Sequence, residues 1–235
     1  MARADEDEVE AGGDAVWRER AIERSTRGAR ERAAMRVQQF LDAAREIISE
    51  KDSIEFTVQE IVDRSKQSLR SFYQYFDGKH ELLLALFEEE MADTVARIRE
   101  ASADGDPLDR LEQAVLILYD ICSPERRSSI QPLFFEFAQL LLISHPDEVS
   151  RAYTPLFEYL VGIVDDAAKA GFLRPGKPRR QAAIVLQAST TTAGRSGGGT
   201  HPITGEEMWE FCLHAIVPDD VAAARSKRTS RSKST

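Results

Sequence analysis

The sequence has little of what several common protein classes require. Its 235 residues contain two cysteines, Cys122 and Cys212, which are too few for a disulfide framework and suit a reducing compartment. No apolar run approaches the roughly 18 residues that a membrane span needs. Residues 1–13 are acidic and lack the apolar segment of a secretory signal peptide. The location that these features predict is the cytoplasm, away from any membrane.

Signals for catalysis are missing as well. None of the four histidines stands at metal-ligand spacing from a cysteine or a carboxylate. The sequence has no phosphate-binding loop, dinucleotide fingerprint or nucleophile elbow. Both cysteines lie in apolar segments, where thiols are ordinarily inert. We therefore expect neither an enzyme nor a metal or cofactor site.

Positive charge is scarce overall and locally concentrated. The formal net charge is -9, but residues 17–80 carry thirteen basic and eleven acidic side chains, and residues 225–235 carry five basic side chains and no acid. Seven of the basic side chains are arginines within residues 17–36. Such a cluster is typical of a segment that contacts phosphates. A solvated helix face interspersed with glutamates is the alternative interpretation.

Hydrophobic spacing predicts helices along nearly the whole chain and no strand. Apolar residues recur at helical intervals from about Ser25 to Glu50 and again beyond Lys79. Residues 130–143 are almost wholly apolar, which predicts a helix buried on all sides. A later helix over residues 179–193 should be interrupted at its Ser-Thr-Thr-Thr run, and residues 206–217 should form the last one. The fold class that we expect is all-α.

Residues 57–76 predict two short helices joined by a tight turn. Thr57 and Glu60 have the spacing of a capping box, which would open the first short helix. Ser68 can cap the second, whose docking face would consist of Leu69, Phe72 and Phe76. Following a longer helix, this arrangement is typical of a helix-turn-helix unit.

The polar side of the second short helix would then be available to a DNA major groove. Arg70 and Gln74 are one helical turn apart and suit guanine and adenine edges respectively. Hydroxyl groups and lysine suit phosphates. The candidate DNA-binding residues are Arg36, Thr57, Ser68, Arg70, Ser71, Tyr73, Gln74, Tyr75 and Lys79.

The whole segment resembles the TetR family of transcriptional regulators. Its pattern is Thr57-Val58-x-x-Ile61-Val62, then Ser68-x-x-Ser71-Phe72-Tyr73-x-Tyr75-Phe76-x-x-Lys79-x-x-Leu82-Leu83. The resemblance covers roughly residues 30–90. Four positions depart from the usual pattern. Asp52 and Lys66 stand at usual left-handed glycines, Gln67 at a usual small apolar residue, and Tyr75 at a usual histidine.

The resemblance implies a domain organisation and a mechanism. It implies a DNA-binding domain at 25–80 and a helical effector and dimerisation domain at 81–224. Composition predicts a disordered or flexible arm at 1–24, acidic and then basic, and a disordered basic tail at 225–235. A homodimer would bind a palindromic double-stranded operator, act as a repressor and be released by a small molecule. The alternative is a helical ligand-binding or interaction protein that no longer binds DNA specifically.

Two further sets of residues follow from the resemblance. The last two long helices would pair across a two-fold axis, with Ile184, Val185, Leu186, Trp209, Phe211, Leu213 and Ile216 as candidate contacts; ordinary core packing is as good an explanation for any one of them. The apolar run at 133–143 favours a lipid-like effector. The candidate effector-binding residues are Tyr119, Phe134, Phe137, Gln139, Tyr153, Phe157, Thr190 and Trp209. Core aromatics with satisfied hydroxyls are the alternative for this set.

Overall fold

The computed structural model describes residues 5–103, 105–123, 133, 137–138, 141, 145–195 and 203–232, and for 5–15, 19, 21, 194–195 and 226–232 it describes the backbone alone. The described residues form helices and connecting loops with no β-strand, so the prediction of an all-α protein is confirmed. The chain divides into two compact units. One comprises residues 1–46 and 57–82, and the other comprises residues 47–56 and 83–235.

The first unit contains the long helix α1 (Asp5–Lys51) as far as residue 46, the short helices α2 (Val58–Ser65) and α3 (Leu69–Tyr75), and the start of α4 (Lys79–Ala101). The structure differs here from the flexible arm predicted at 1–24, because α1 already begins at Asp5. Alanine, glutamate and arginine dominate this stretch, and these residues favour helix even where nothing packs against them. Acidic residues in the first turns also interact favourably with the helix dipole.

The second unit begins its helices where capping chemistry predicts. Helix α5 (Pro107–Cys122) has proline in its first turn and is capped by Asp106, whose carboxylate accepts from the Leu108 and Asp109 amides at 2.8 Å. Helix α6 (Pro146–Lys169) is followed by Gly171 at φ 79°, a left-handed conformation that glycine adopts without steric cost.

Three helices complete this unit: α7 (Pro178–Arg195), α8 (Gly205–Ile216) and α9 (Asp219–Ser232). The break predicted within α7 is wrong. Ser189 is fully buried, and the Thr190 hydroxyl donates to the Leu186 carbonyl at 2.9 Å. Such back-bonding lets a threonine-rich stretch remain helical. The predicted tail also differs, because residues 225–232 belong to α9.

Helix α5 lies at the centre of the second unit and packs against α6, α7 and α8. Leu111, Val115 and Leu118 on α5 are fully buried, as are Leu160 and Val164 on α6. Most of the apolar run at 130–143 lies outside the described residues, but Leu133, Phe137, Ala138 and Leu141 are helical. No helix in the described ranges is both long enough and apolar enough to cross a lipid bilayer.

Candidate nucleic-acid interface

Side-chain caps fix both short helices of the first unit, as the sequence predicts. The Thr57 amide donates to the Glu60 carboxylate at 2.8 Å, and the Glu60 amide donates to the Thr57 hydroxyl oxygen at 3.2 Å. This reciprocal pair is a complete capping box. Ser68 caps α3 by accepting from the Ser71 amide at 3.0 Å. The start of each helix is thus determined by local sequence.

The turn between α2 and α3 requires a left-handed residue, and Lys66 occupies it at φ 55°. Asp52, after α1, is likewise left-handed at φ 47°. Both are positions where the TetR pattern has glycine, so the backbone keeps that conformation despite the side chains. Gln67, the neighbouring departure, donates its amide to Gln39 Oε1 at 2.8 Å and so joins the turn to α1. Sequence reasoning missed this contact because it has no local signature.

Aromatic packing anchors α3 on α1. Phe72 is fully buried and Phe76 is nearly so, and the Phe40 ring meets both edge-on at centroid distances of 5.4 and 6.2 Å. Edge-to-face pairs at these distances are favourable beyond the area that they bury. These two members of the predicted docking face are confirmed. The prediction that Leu69 belongs to this docking face is wrong, because Leu69 lies at the first position of α3 and is 45% exposed.

The opposite side of α3 is open to solvent. Ser68, Arg70, Tyr73 and Gln74 are all exposed, Tyr73 to 55%. Arg70 makes no ion pair within the described part of the chain. Its guanidinium and the Gln74 amide therefore project from one exposed face, one turn apart. This face presents hydrogen-bond donors and acceptors on a narrow helix, which is the chemistry that base edges in a major groove can recognise.

The remaining predicted DNA-binding residues are less uniform. Arg36 is exposed on α1, and Thr57 is exposed with its hydroxyl donating to Glu60 at 3.1 Å. Tyr75 and Lys79 are half-buried. Ser71 is placed differently from expectation, because its Oγ is buried and has no hydrogen-bond partner among the described residues. A hydroxyl in that position is poorly directed to bind a phosphate.

The predicted effector-binding residues of the second unit mostly have protein partners. The Tyr119 hydroxyl donates to the Ile203 carbonyl, and the Tyr153 ring meets Phe87 edge-on at 5.1 Å. Burial raises the pKa of the Tyr153 phenol, and the Cys122 thiol acts in the same direction. Phe137 is buried, whereas Phe134 and Gln139 lie outside the described residues.

Cations cover two other aromatics of this set. The Arg179 guanidinium lies 4.8 Å from the Phe157 ring centroid, and that of Arg225 lies 6.0 Å from the Trp209 ring. With Thr190 bonded to its own helix, these contacts do not single the residues out as a ligand site. A cleft of about 310 Å³ lies elsewhere in the unit, and none of the predicted effector residues lines it. Its lining is Asp106, Leu108, Phe172, Asp220, Val221, Ala224 and Arg225.

Arg225 connects α9 to the N-terminal half of α5. Its guanidinium donates to Glu112 at 2.7 Å and also to Asp109, while only 8% of the residue is exposed. Burial lowers the pKa of Arg225, but the hydrogen bonds to both carboxylates raise it, and the net direction is upward. The contact was not predicted, because the two partners are more than one hundred residues away in sequence.

Burial also governs the two thiols. Both cysteines are buried and free, and burial raises the pKa of Cys212 to about 11. The pKa of Cys122 shifts in the same direction for the same reason. Thiols whose pKa is raised carry little thiolate at neutral pH and are poor nucleophiles. This is the environment of packing residues rather than of reactive ones.

Comparison with known proteins agrees with the geometry of the first unit. Residues 40–86 match the family model of the bacterial regulatory proteins of the tetR family. No curated protein matches the sequence. Solved structures show that the likeness extends to the fold of most of the chain.

A tetR-family transcriptional regulator from Pectobacterium atrosepticum is 18% identical, with a TM-score of 0.61 over 79% of this chain and 92% of its own. The reduced form of E. coli NemR is 15% identical, with a TM-score of 0.61 over 78% and 98%. The Bacillus subtilis regulator FadR in complex with stearoyl-CoA is 16% identical, with a TM-score of 0.54 over 75% and 95%. At these identities the likeness shows the fold.

Fold and interface together define an all-helical protein with an N-terminal helix-turn-helix domain and a larger C-terminal helical domain. Within that class, residues 40–86 match the tetR family of bacterial regulatory proteins, and the chain has the fold of solved regulators of that family. Proteins of this family are generally DNA-binding regulators rather than enzymes.

Proposed function

We propose that the chain binds double-stranded DNA sequence-specifically by inserting α3 into a major groove. One observation carries this proposal: Phe72 and Phe76 fix α3 to α1, while Arg70, Tyr73 and Gln74 are exposed on its other side. Because the helix is held from one side only, its polar face can reach base edges without a rearrangement of the protein. In this proposal residues 25–80 supply the DNA-binding domain.

The individual roles follow from side-chain chemistry. Arg70 would bind the O6 and N7 atoms of guanine, and Gln74 the N6 and N7 atoms of adenine. The exposed Leu69 could make an apolar contact with a thymine methyl group. Backbone contacts would then orient the protein on the duplex. The residues that we assign to phosphates are Arg36, Thr57, Ser68, Tyr73, Tyr75 and Lys79.

We further propose that the functional unit is a homodimer on a palindromic operator, because two-fold symmetry places two copies of α3 in successive major grooves. Ile184 on α7 and Phe211 on α8 are each 65% exposed, and these helices pack against each other. Large exposed apolar side chains on neighbouring helices are suited to an interface between two copies. Val185, Trp209, Leu213 and Ile216 are buried within the protomer and so are better explained as core.

In the same proposal the protein is a cytoplasmic repressor that a small hydrophobic effector releases from DNA. Residues 81–224 would bind that effector and form the dimer. The apolar composition of residues 133–143 supports a lipid-like molecule, and the regulator FadR of the same fold was solved with stearoyl-CoA. Effector binding releases DNA only if it favours a dimer whose α3 helices no longer match successive grooves.

The alternative is a helical ligand-binding or interaction protein that has lost specific DNA binding. The departures from the TetR pattern at Lys66 and Gln67 are the sequence features that favour this alternative. In the structure both residues fit the turn, one in the left-handed conformation and the other in a hydrogen bond to Gln39. The alternative is therefore the weaker of the two candidates.

Selection of bound sites from random duplexes tests the proposal. The purified full chain is mixed with a library of random sequence, and the bound fraction is amplified and sequenced over several rounds. We expect an inverted repeat whose half-sites lie one helical turn of DNA apart, or a multiple of it. Recovery of no enriched sequence, with retention independent of salt, would favour the alternative.

A further inference from the structure

Residues 17–36 of α1 carry a local excess of positive charge, which follows the six carboxylates of residues 5–16 in the same helix. Between residues 17 and 36 there are seven arginines and three glutamates, a net charge of +4 in a chain whose net charge is -9. All seven arginines are exposed. They are Arg18, Arg20, Arg24, Arg27, Arg30, Arg32 and Arg36.

Two of these arginines form contacts within α1 that leave their guanidinium groups open to solvent. Arg27 forms an exposed ion pair with Glu23 at 3.5 Å, and Arg24 donates to the Arg20 carbonyl at 3.3 Å. Exposed pairs of this kind contribute little to stability and leave the charge open to solvent. Arg30 and Arg32 form no ion pair with any described residue, so their charges are available to another molecule.

The described side chains of this part of α1 are exposed or half-buried. Among the described side chains from Val16 to Gln39 none is buried, and Phe40 is the first that packs in the core. A helix that is polar all round and has few side-chain pairs gains little stability by itself. A bound polyanion would stabilise it, because phosphates would neutralise the repulsion between its arginines.

The distribution of apolar residues disfavours other partners. Val16, Trp17, Ile22 and Met35 are exposed, but their positions are spread around the helix at 3.6 residues per turn. A helix that lies on a membrane surface needs its apolar residues on one face. A coiled coil needs them at a heptad spacing, which this segment lacks. Arginine instead binds phosphates with bidentate geometry.

The position of the segment also favours DNA. It is continuous with the part of α1 on which Phe40 anchors α3, and both belong to the same compact unit. From Arg20 to Arg32 the helix rises about 18 Å, which corresponds to about five base pairs. Arginines over that length can reach several successive phosphates of one duplex.

We propose that residues 18–32 of α1 form a second DNA-binding element, which contacts phosphates beyond those bound by the helix-turn-helix. This inference rests on the proposed function, since α3 brings the duplex to the first unit. The element adds affinity that is independent of base sequence and strongly dependent on salt. Base discrimination remains with α3.

The test compares two double variants with the same change of charge. One is Arg30→Gln with Arg32→Gln, and the control is Arg151→Gln with Lys177→Gln, two exposed cations of the second unit. The affinity of each full-length protein is measured for a selected operator and for a scrambled duplex. Salt is varied from about 50 to about 300 mM, because phosphate contacts make affinity depend steeply on salt in this range. Thermal unfolding of each variant checks that the fold is intact.

Log affinity falls as log salt rises, and loss of two phosphate contacts should make this negative slope shallower by about 1.8 per protomer. At about 0.1 M salt we expect at least a tenfold loss on both duplexes, so that their ratio is unchanged. The control should have the slope of the unmodified protein. A slope equal in both double variants would overturn the inference.

Further outcomes separate this inference from the proposed function. Operator preference with an unchanged slope in the Arg30/Arg32 variant would remove the second element and leave the function intact. A reduced slope in the Arg30/Arg32 variant, with no sequence preference in any protein, would support the second element and contradict the proposed function. Phosphatidylserine vesicles are included because they carry phosphates too. If the Arg30/Arg32 variant binds the vesicles more weakly but binds both duplexes as the unmodified protein does, the partner is a membrane surface and the inference is wrong.

Discussion

At the scale of single residues, side-chain direction decides what α3 can bind. Phe72 and Phe76 point into the first unit, whereas Arg70 and Gln74 point away from it. A helix of seven residues has room for only a few base contacts, so each exposed side chain carries a large share of the specificity. Arg70 is the one with the geometry for two parallel hydrogen bonds to a single guanine.

Replacement of this arginine should therefore change specificity more than overall affinity. In Arg70→Ala we expect the preference for the selected operator over a duplex with one changed base pair to fall by about 1–3 kcal/mol. Lys79→Ala is the comparison, because a phosphate contact should weaken all duplexes alike and reduce the salt slope by about one. Competition gel shifts measure both quantities. An unchanged ranking of operator variants in Arg70→Ala would contradict the assignment of this residue to a base.

The same scale shows where sequence reasoning falls short. Helical periodicity predicts that Leu69, Phe72 and Phe76 share one face, yet Leu69 is exposed because the core ends before the first turn of α3. Ser71 was expected to face a phosphate, yet its Oγ is buried. Periodicity gives the angle of a side chain around its helix but not how far the neighbouring helix extends to cover it.

At the scale of elements, the boundaries that depend on local chemistry are predictable. The capping box of Thr57 and the serine cap of α3 both lie where the sequence places them, and Asp106 caps α5 by the same chemistry. Thr204 likewise caps α8 through a complete capping box with Glu207. Helix lengths that depend on packing, or on its absence, are not predictable from local sequence. Helix α1 extends to Asp5, and α7 continues through its threonines. Composition alone does not distinguish an extended charged helix from an unstructured arm.

The turn between α2 and α3 supplies a test at this scale. Lys66 is left-handed at φ 55°, which costs a residue with a Cβ roughly 1 kcal/mol relative to glycine. Lys66→Gly should therefore raise the free energy of unfolding by up to about 1 kcal/mol. Asp63→Gly, on the exposed face of α2, should lower it by a similar amount because glycine disfavours helix. Urea unfolding measures both, and a destabilised Lys66→Gly would show that the lysine side chain contributes more than its backbone costs.

At the scale of the whole molecule, charge is divided along the chain. The arginines of α1 and the polar face of α3 lie within residues 17–80, while residues 1–16 and 81–224 carry the acidic excess. An acidic second domain would be repelled by DNA, so that the duplex is directed to the other end of the chain. This division was visible in the sequence, since it requires only a count of charges by segment.

Dimerisation is the property of the whole molecule that the exposed apolar residues make testable. Ile184→Glu with Phe211→Glu places two carboxylates on each copy of the proposed interface, and two-fold symmetry doubles that number. Because burial of unpaired charge is costly, we expect the dimer to weaken at least tenfold and operator affinity to fall with it. Sedimentation at micromolar concentration measures the association. Ile203→Glu, at another exposed apolar residue of the second unit, should leave the dimer intact. A dimer that survives both interface substitutions would place the contact on another surface and leave Ile184 and Phe211 available to a different partner.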